Sequence, residues 1–378
     1  MPAEWERHAA SWLAWPHNHR DWPGKFAPIP WIIADIIRHI ASAETVHLLV
    51  QNKSQRRQAE HCLEKSDANL SAVRFHLQET DRIWTRDSGP IFLTRNTPAI
   101  YPDRRLGGSV KSGTDRNRRA VRPTGRIAVN QRLAAVGWAF NAWAKYGNYR
   151  RDRRLPAFAA DLLGVPLWTP AATDTRGRIR RIVLEGGSID VNGQGCLLTT
   201  RECLLARVQQ RNPGFSRQKI EEILRDYLGV ERVLWLAGGI AGDDTHGHID
   251  DAARFAGPTL ILACVEPNRR DPNHRSLREN FKMLRSMRDH NDRPFDLAEL
   301  PMPRPVVFNR QRLPASYANF YVCNAGVLVP VFNDPADLPA LRVLEQVFAG
   351  RAIVPIYARD LVWGLGTLHC MTQQQPAV

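Results

Sequence analysis

The sequence predicts an α/β protein, and two observations carry that reading. Apolar residues recur at three-to-four spacing along the chain, the period of an amphipathic helix. Short apolar runs alternate with those stretches, as buried strands do. Residues 30–42, Pro-Trp-Ile-Ile-Ala-Asp-Ile-Ile-Arg-His-Ile-Ala-Ser, make the first helix, and 46–50 the strand after it. A helix over 54–63 leads to a strand over 73–77. Ser216 is placed to cap a helix through Leu228, with Gly229 to end it, before a strand over 232–236. A strand over 259–265 and a helix over 276–287 follow. Residues 320–332 read as β-rich, with a turn at Asn324-Ala325-Gly326. A helix over 337–348 and a strand over 353–357 end the pattern. The units return at roughly 60–75 residues without sequence identity, so any repeat is one of structure.

The 378 residues are 43% hydrophobic and 24% charged, which excludes disorder, coiled coil and collagen as whole-chain answers. That length can bury a substantial core. No apolar run approaches the ~18 residues of a membrane span. The first residues, Met1-Pro2-Ala3-Glu4-Trp5-Glu6, lack the basic and apolar regions of a secretion signal. The six cysteines, Cys62, Cys196, Cys203, Cys264, Cys323 and Cys370, form no CxxC pair. Free thiols and a cytoplasmic setting are the expectation. The formal net charge is +14, and the 19 basic and 5 acidic residues between Arg95 and Arg181 carry all of it. Such a block admits a nucleic-acid or acidic partner. The plainer reading is a solvated loop. Residues 103–126 fit no element and read as an inserted basic loop, with few aromatics among the charges on which bases could stack.

Four segments hold residues suited to chemistry. Cys370 follows Gly364 and Gly366, which permit tight turns and close approach of a ligand. Such a Cys is a nucleophile if its thiolate is stabilised, and otherwise a small apolar core group. In Asp243-Asp244-Thr245-His246-Gly247-His248-Ile249-Asp250-Asp251, an extended chain would point His246, His248 and Asp250 to one side. That suits a His acid/base beside a carboxylate, or a metal site. Asp243 and Asp244 could equally be capping residues. Trp84 and Asp87 are three apart, so a ring could cover a planar cation while the carboxylate accepts two hydrogen bonds. The alternative for Asp87 is a surface pair with Arg. Glu185 ends an apolar run before Gly186-Gly187. Several carboxylates point to a cationic substrate, and Cys with His to covalent catalysis.

In these segments the chain resembles the agmatine deiminases, of the bacterial-type peptidylarginine deiminase family and the guanidine-modifying superfamily. The likeness begins at Met1-Pro2-Ala3-Glu4-Trp5-Glu6 and Trp12-Leu13-Ala14-Trp15-Pro16. It runs through Trp84-Thr85-Arg86-Asp87-Ser88-Gly89-Pro90, Phe140-Asn141-Ala142-Trp143 and Glu185-Gly186-Gly187. It continues over 242–250 and ends at His369-Cys370-Met371-Thr372-Gln373-Gln374-Gln375-Pro376. The resemblance implies one catalytic domain over 1–378, a pentein. That fold is a five-bladed α/β propeller of ββαβ-type units with pseudo-fivefold symmetry. It implies Cys370 as nucleophile, His248 as acid/base, Asp87 and Asp250 as guanidinium ligands and Glu185 as their support. Trp84 and Asp243 are added as substrate contacts. His246 matches no catalytic position and is expected to be structural. No cofactor and no metal are implied.

The implied reaction hydrolyses agmatine to N-carbamoylputrescine and ammonia through a Cys thiouronium intermediate. Arginine or peptidyl-arginine is the alternative substrate, and a non-catalytic nucleic-acid or acidic-partner binder the second alternative. The expected partner is a small cationic guanidino compound, with no membrane and no nucleic acid. A homodimer is the base-rate expectation. The chain departs from the family pattern at Leu365 and Thr367, which stand in a run of Gly and Asn, at Gly137, and at Ala144-Lys145. Leu365 sits where the backbone is expected to need a φ that favours Gly.

Overall fold

The computed structural model describes residues 1–95 and 132–378. The basic loop expected at 103–126 lies outside the described residues. The alternation of helix and strand resolves into five units of one design. In each, two antiparallel strands are followed by a helix and a third strand parallel to the second. The second unit joins Ile91–Thr94, Leu133–Val136 and Leu167–Trp168, with the helix Leu155–Leu163 before the last. The third joins Ile189–Val191, Cys196–Thr200 and Arg232–Leu236, and the fourth Ala253–Phe255, Leu260–Val265 and Asp296–Pro301. The fifth joins Tyr321–Cys323, Gly326–Val331 and Ile353–Tyr357.

The first unit is closed by the other end of the chain. His8–Ala14 lies parallel to Thr45–Val50 and antiparallel to Gln373–Pro376. The Trp12 indole donates to Gln375 Oε1 at 3.0 Å across that join. The Gln-rich tail is therefore the strand that closes the ring, and it follows Cys370 by three residues.

Local chemistry accounts for the helices. Ile29–Ile40 buries Ile29, Ile33, Ile36, Ile37 and Ile40 on one face. Each such side chain contributes about 1.5–3 kcal/mol by leaving water. Ile33→Ala would cost about 2–5 kcal/mol through the cavity it leaves. Arg217–Leu228 begins where Ser216 accepts a hydrogen bond from the Lys219 N–H and ends at Gly229, φ +66°. The fourth unit's helix is Pro272–Ser286, four residues ahead of the expected start. Asp271 caps it and Pro272 opens its first turn, a start signal legible in the sequence.

Candidate active site

Cys370 and Asp87 lie on two short turns stitched together. After Leu361–Gly364 the chain passes through Leu365 in the left-handed region, φ +69°, and a turn over 368–371 presents Cys370. The conformation suspected at Leu365 is thus real, and a non-glycine residue bears it. Asp87 lies in the one-turn helix Thr85–Ser88. The Thr85 hydroxyl donates to the Met371 carbonyl at 2.7 Å and the Arg86 N–H to the Cys370 carbonyl at 3.2 Å. Asp87 faces inward: its Oδ1 accepts from the Gly187 N–H at 2.9 Å and its Oδ2 from the Trp143 indole at 2.8 Å. Among the described residues, it has no surface pair with Arg. Arg86 is buried and turned away, onto Glu4 at 3.1 Å and Gln374 at 2.6 Å.

Glu185 precedes the turn Gly186–Ser188, and His248 precedes the turn Ile249–Asp251, which carries Asp250. The segment 246–250 is not extended, so the expectation of three side chains on one side is corrected. His246 has φ +64° and turns towards Glu202, 3.6 Å away, outside the site. Asp243 is also corrected. Its Oδ1 accepts from the Thr245 N–H and hydroxyl, and its Oδ2 from the N–H groups of Gly247 and His248. Four donors use its acceptor positions, so it shapes the His248 loop and is not free to meet a substrate.

The His248 ring sits among three carboxylates. Nδ1 is 3.9 Å from Asp87 and 4.0 Å from Asp250, and Nε2 is 3.8 Å from Glu185. These distances exceed a hydrogen bond, so the attraction is Coulombic. Both ring nitrogens and Asp250 Oδ1 are buried without a hydrogen-bond partner among the described residues. Gly187 forms the wall at this point: a Cβ there would stand 2.6 Å from His248 Nδ1, 2.9 Å from Asp87 Oδ1 and 3.0 Å from Asp250 Oδ2. Any side chain at 187 would occupy the space between the three. The Cys370 sulfur is 3.9 Å from Asp250 Oδ2. Above it opens a cleft of about 350 Å³, bounded by Trp84, Trp143, Tyr146, Asp244 and Leu365 among others.

The electrostatics follow from this crowding. Burial opposes charge on His248, but Asp87, Glu185 and Asp250 outweigh it and raise its pKa to about 10. Burial alone would raise Glu185, yet Arg211 and His248 hold it at about 2. Arg211 donates its Nε–H to both Glu185 oxygens, at 3.1 and 3.3 Å. Asp87 is raised by burial, against the pull of His248. Asp250 is lowered despite burial, chiefly by His369, whose Nδ1 is 2.7 Å away. Burial, then Asp250, Asp251 and Asp87, push the Cys370 thiol well above its ordinary value.

Five of the expected residues, Cys370, His248, Asp250, Asp87 and Glu185, thus converge, and Trp84 lines the cleft beside them. Sequence reasoning missed Arg211, Asn319, His369 and the orienting contact of Trp143. It had no signal for Arg211 or Asn319, which belong to none of the motifs. It quoted His369 and Trp143 in motifs without giving either a role. The metal ligands considered there, His246, His248 and Asp250, do not assemble. Glu185, Cys203 and His248 do approach one another, with donor atoms within 4.8 Å, but the Arg211 guanidinium on Glu185 opposes a cation there.

Compared with known proteins, residues 1–376 match the Porphyromonas-type peptidyl-arginine deiminase family. The chain belongs to that family. Its five-unit ring is the pentein fold. The agmatine deiminase of Ectopseudomonas mendocina (strain ymp) is 31% identical over 400 residues, covering 100% of this chain and 95% of its own. That of Pseudomonas aeruginosa (strain LESB58) is 32% identical over 397 residues, with the same coverage. The solved agmatine deiminase of Enterococcus faecalis superposes with a TM-score of 0.81 at 26% identity, covering 100% of this chain and 95% of its own. No described helix of this deiminase-family chain is long and apolar enough to cross a membrane.

Proposed function

We propose that this chain is an agmatine deiminase acting through Cys370. The observation that carries the reading is the buried convergence of three carboxylates on His248, behind a cleft that Asp87 and Cys370 line. In formal charges, Asp87, Asp250 and Glu185 stand against His248 and Arg211, leaving one negative charge that a guanidinium cancels. Asp87 and Asp250 take the guanidinium N–H groups and fix its carbon at the sulfur. Trp84 covers its face. The bound cation, adding its charge to that of His248, favours the thiolate that burial otherwise disfavours.

Cys370, its thiol proton released to solvent as the substrate cation binds, attacks the guanidinium carbon as the thiolate. The C–N bond breaks, and His248 gives a proton to the departing ammonia. The S-alkylthiouronium that remains is attacked by water, with the now neutral His248 taking the water proton. The C–S bond then breaks, releasing a urea-type product and the thiolate. Glu185 holds the His248 charge during both steps, and Arg211 holds Glu185.

The names of the similar proteins and the acidic rim residue Asp244 favour agmatine over arginine. Asp244 accepts from Tyr146 Oη at 2.5 Å and pairs with Lys145. Arg82 also lines the cleft and could favour an α-carboxylate, but its Nη1 donates to Asp21 at 2.7 Å and its Nη2 to Asn148 at 3.4 Å. The test is ammonia release from agmatine, arginine and a blocked arginyl peptide side by side. Turnover of agmatine alone supports the reading, and turnover of none overturns it.

A further inference from the structure

We propose that Asn319 is a further catalytic residue, one whose side-chain amide holds the Cys370 sulfur as the attacking and leaving thiolate. The inference rests on the assignment of Cys370 as the nucleophile. Asn319 lies in the turn Tyr317–Asn319, which opens the fifth unit, and its side chain is 1% exposed. Its Nδ2 is 3.2 Å from Cys370 Sγ, within reach of an N–H to sulfur hydrogen bond.

The orientation of this amide is over-determined. Asn319 Oδ1 accepts from the Thr367 hydroxyl at 2.7 Å and from the His369 N–H at 3.1 Å, with the Cys370 N–H at 3.4 Å. All are donors, so the oxygen must face them and the NH₂ group must face the other way. Of the two N–H groups, one donates to Asp251 Oδ1 at 3.0 Å. The other is left for sulfur. Every hydrogen-bonding position of the amide is thereby used, and only one partner, the sulfur, changes charge in the reaction. Before ionisation the thiol itself can donate to Asn319 Oδ1, 3.5 Å away. The same side chain therefore accepts from the thiol and donates to the thiolate.

The need for such a donor is plain from what faces the sulfur. Asp250, Asp251 and Asp87 oppose a negative sulfur, and the Thr367 backbone N–H favours it. His248 offers its charge from across the site, while the His369 ring is turned to Asp250 and Glu4. Asn319 supplies a fixed dipole aimed where charge develops, in a buried place where that is most effective. This also gives Thr367 a role. It departs from the family pattern, and its hydroxyl is the shortest contact fixing the amide.

The test follows Cys370 alkylation by iodoacetamide against pH, resolved by peptide mass spectrometry, together with kcat/KM and thermal unfolding. Asn319→Ala should move the alkylation midpoint up by about one pH unit and lower kcat/KM by about 10²-fold, the usual effect of one lost donor to a developing anion. Asn319→Asp keeps the shape and the acceptor but removes the donor, so it should be no better than Asn319→Ala. A structural role alone would make it milder. Thr367→Val should lower kcat/KM by about 3- to 10-fold, as one neutral hydrogen bond allows. A folded Asn319→Ala protein with the wild-type midpoint and kcat/KM within twofold would overturn the proposal. If Asn319→Ala does not fold, Thr367→Val decides by the same readouts, and an unchanged midpoint and kcat/KM there overturn it. Wild type that turns over no guanidino substrate would defeat the functional reading instead, while the alkylation midpoints would still report on Asn319.

Discussion

Two buried clusters of charge lie back to back in this chain, and they are built differently. In front are Asp87, Asp250, Glu185 and His248, of which Asp87 lines the cleft. Behind are Glu4, Arg86, Arg254 and Asp190, reached through His369. At the rear, Glu4 Oε2 receives His369 at 2.8 Å and Arg86 at 3.1 Å, and Glu4 Oε1 receives the Val322 N–H at 2.9 Å and Arg254 at 3.0 Å. Arg254 also lies 3.2 Å from Asp190. In front, the nearest His248–carboxylate approaches are 3.8–4.0 Å, and three polar atoms have no partner. Among the described residues, the rear meets its charges with protein groups, and only Arg254 Nε lacks a hydrogen bond, with Asp190 3.2 Å away. The front leaves both His248 ring nitrogens and Asp250 Oδ1 for a guest. Unmatched buried polar atoms are costly, so they persist where something else satisfies them.

The largest effect is expected at Cys370. Cys370→Ala should abolish ammonia release, a fall on the order of 10⁴-fold or more as for other removed nucleophiles. Agmatine binding by calorimetry should survive, because both carboxylates remain. A rear substitution should behave in the opposite way. Glu4→Gln leaves Arg86 without its carboxylate partner and Arg254 with Asp190 alone, and should cost about 3–5 kcal/mol of stability in denaturant titration. An equal loss of stability in Asp87→Asn, with activity kept, would reverse the distinction.

The pH dependence sharpens it. His248 is raised to about 10, so its stabilising contribution is full below about 6.5 and is lost as pH rises through about 10. Glu185 is lowered to about 2, so its contribution is present above about 4.5 and is lost as pH falls through about 2. Thermal unfolding against pH should show both edges. Replacing His248 by Gln should remove the alkaline one, and kcat/KM of the wild type should fall near pH 10 as the acid is lost. The smallest effect is expected at Leu365. Its left-handed backbone costs about 1–2 kcal/mol. Leu365→Gly relieves that but loses a half-buried side chain and adds chain entropy. The terms nearly cancel, so stability should change by less than about 1 kcal/mol.

The part of the basic block that is described between Arg132 and Arg181 is peripheral. All ten basic residues described between Arg132 and Arg181 are exposed, as a solvated face would be. One of them, Lys145, does reach the rim of the cleft, where it pairs with Asp244. Lys145→Ala should alter the KM for agmatine and its salt dependence more than kcat.

What the sequence determined by itself was local. Periodicity placed the helices and strands, because burial of one face sets the spacing of apolar residues. Motifs marked the turns that carry Cys370, Asp87, Glu185, His248 and Asp250, because tight turns demand particular residues nearby. Local patterns could not show which of these side chains meet, or what orients them. Asn319 reaches Cys370 across 51 residues, Glu4 reaches His369 across 365, and Trp143 reaches Asp87 across 56. Asp243 and His246, inside the same motif as His248, turn out to serve the loop. Such contacts exist only once the tail strand closes the ring and brings separate units to one centre. Tertiary structure alone decided them, because hydrogen bonding and charge act through distance in space, while periodicity reports only which face of an element is buried.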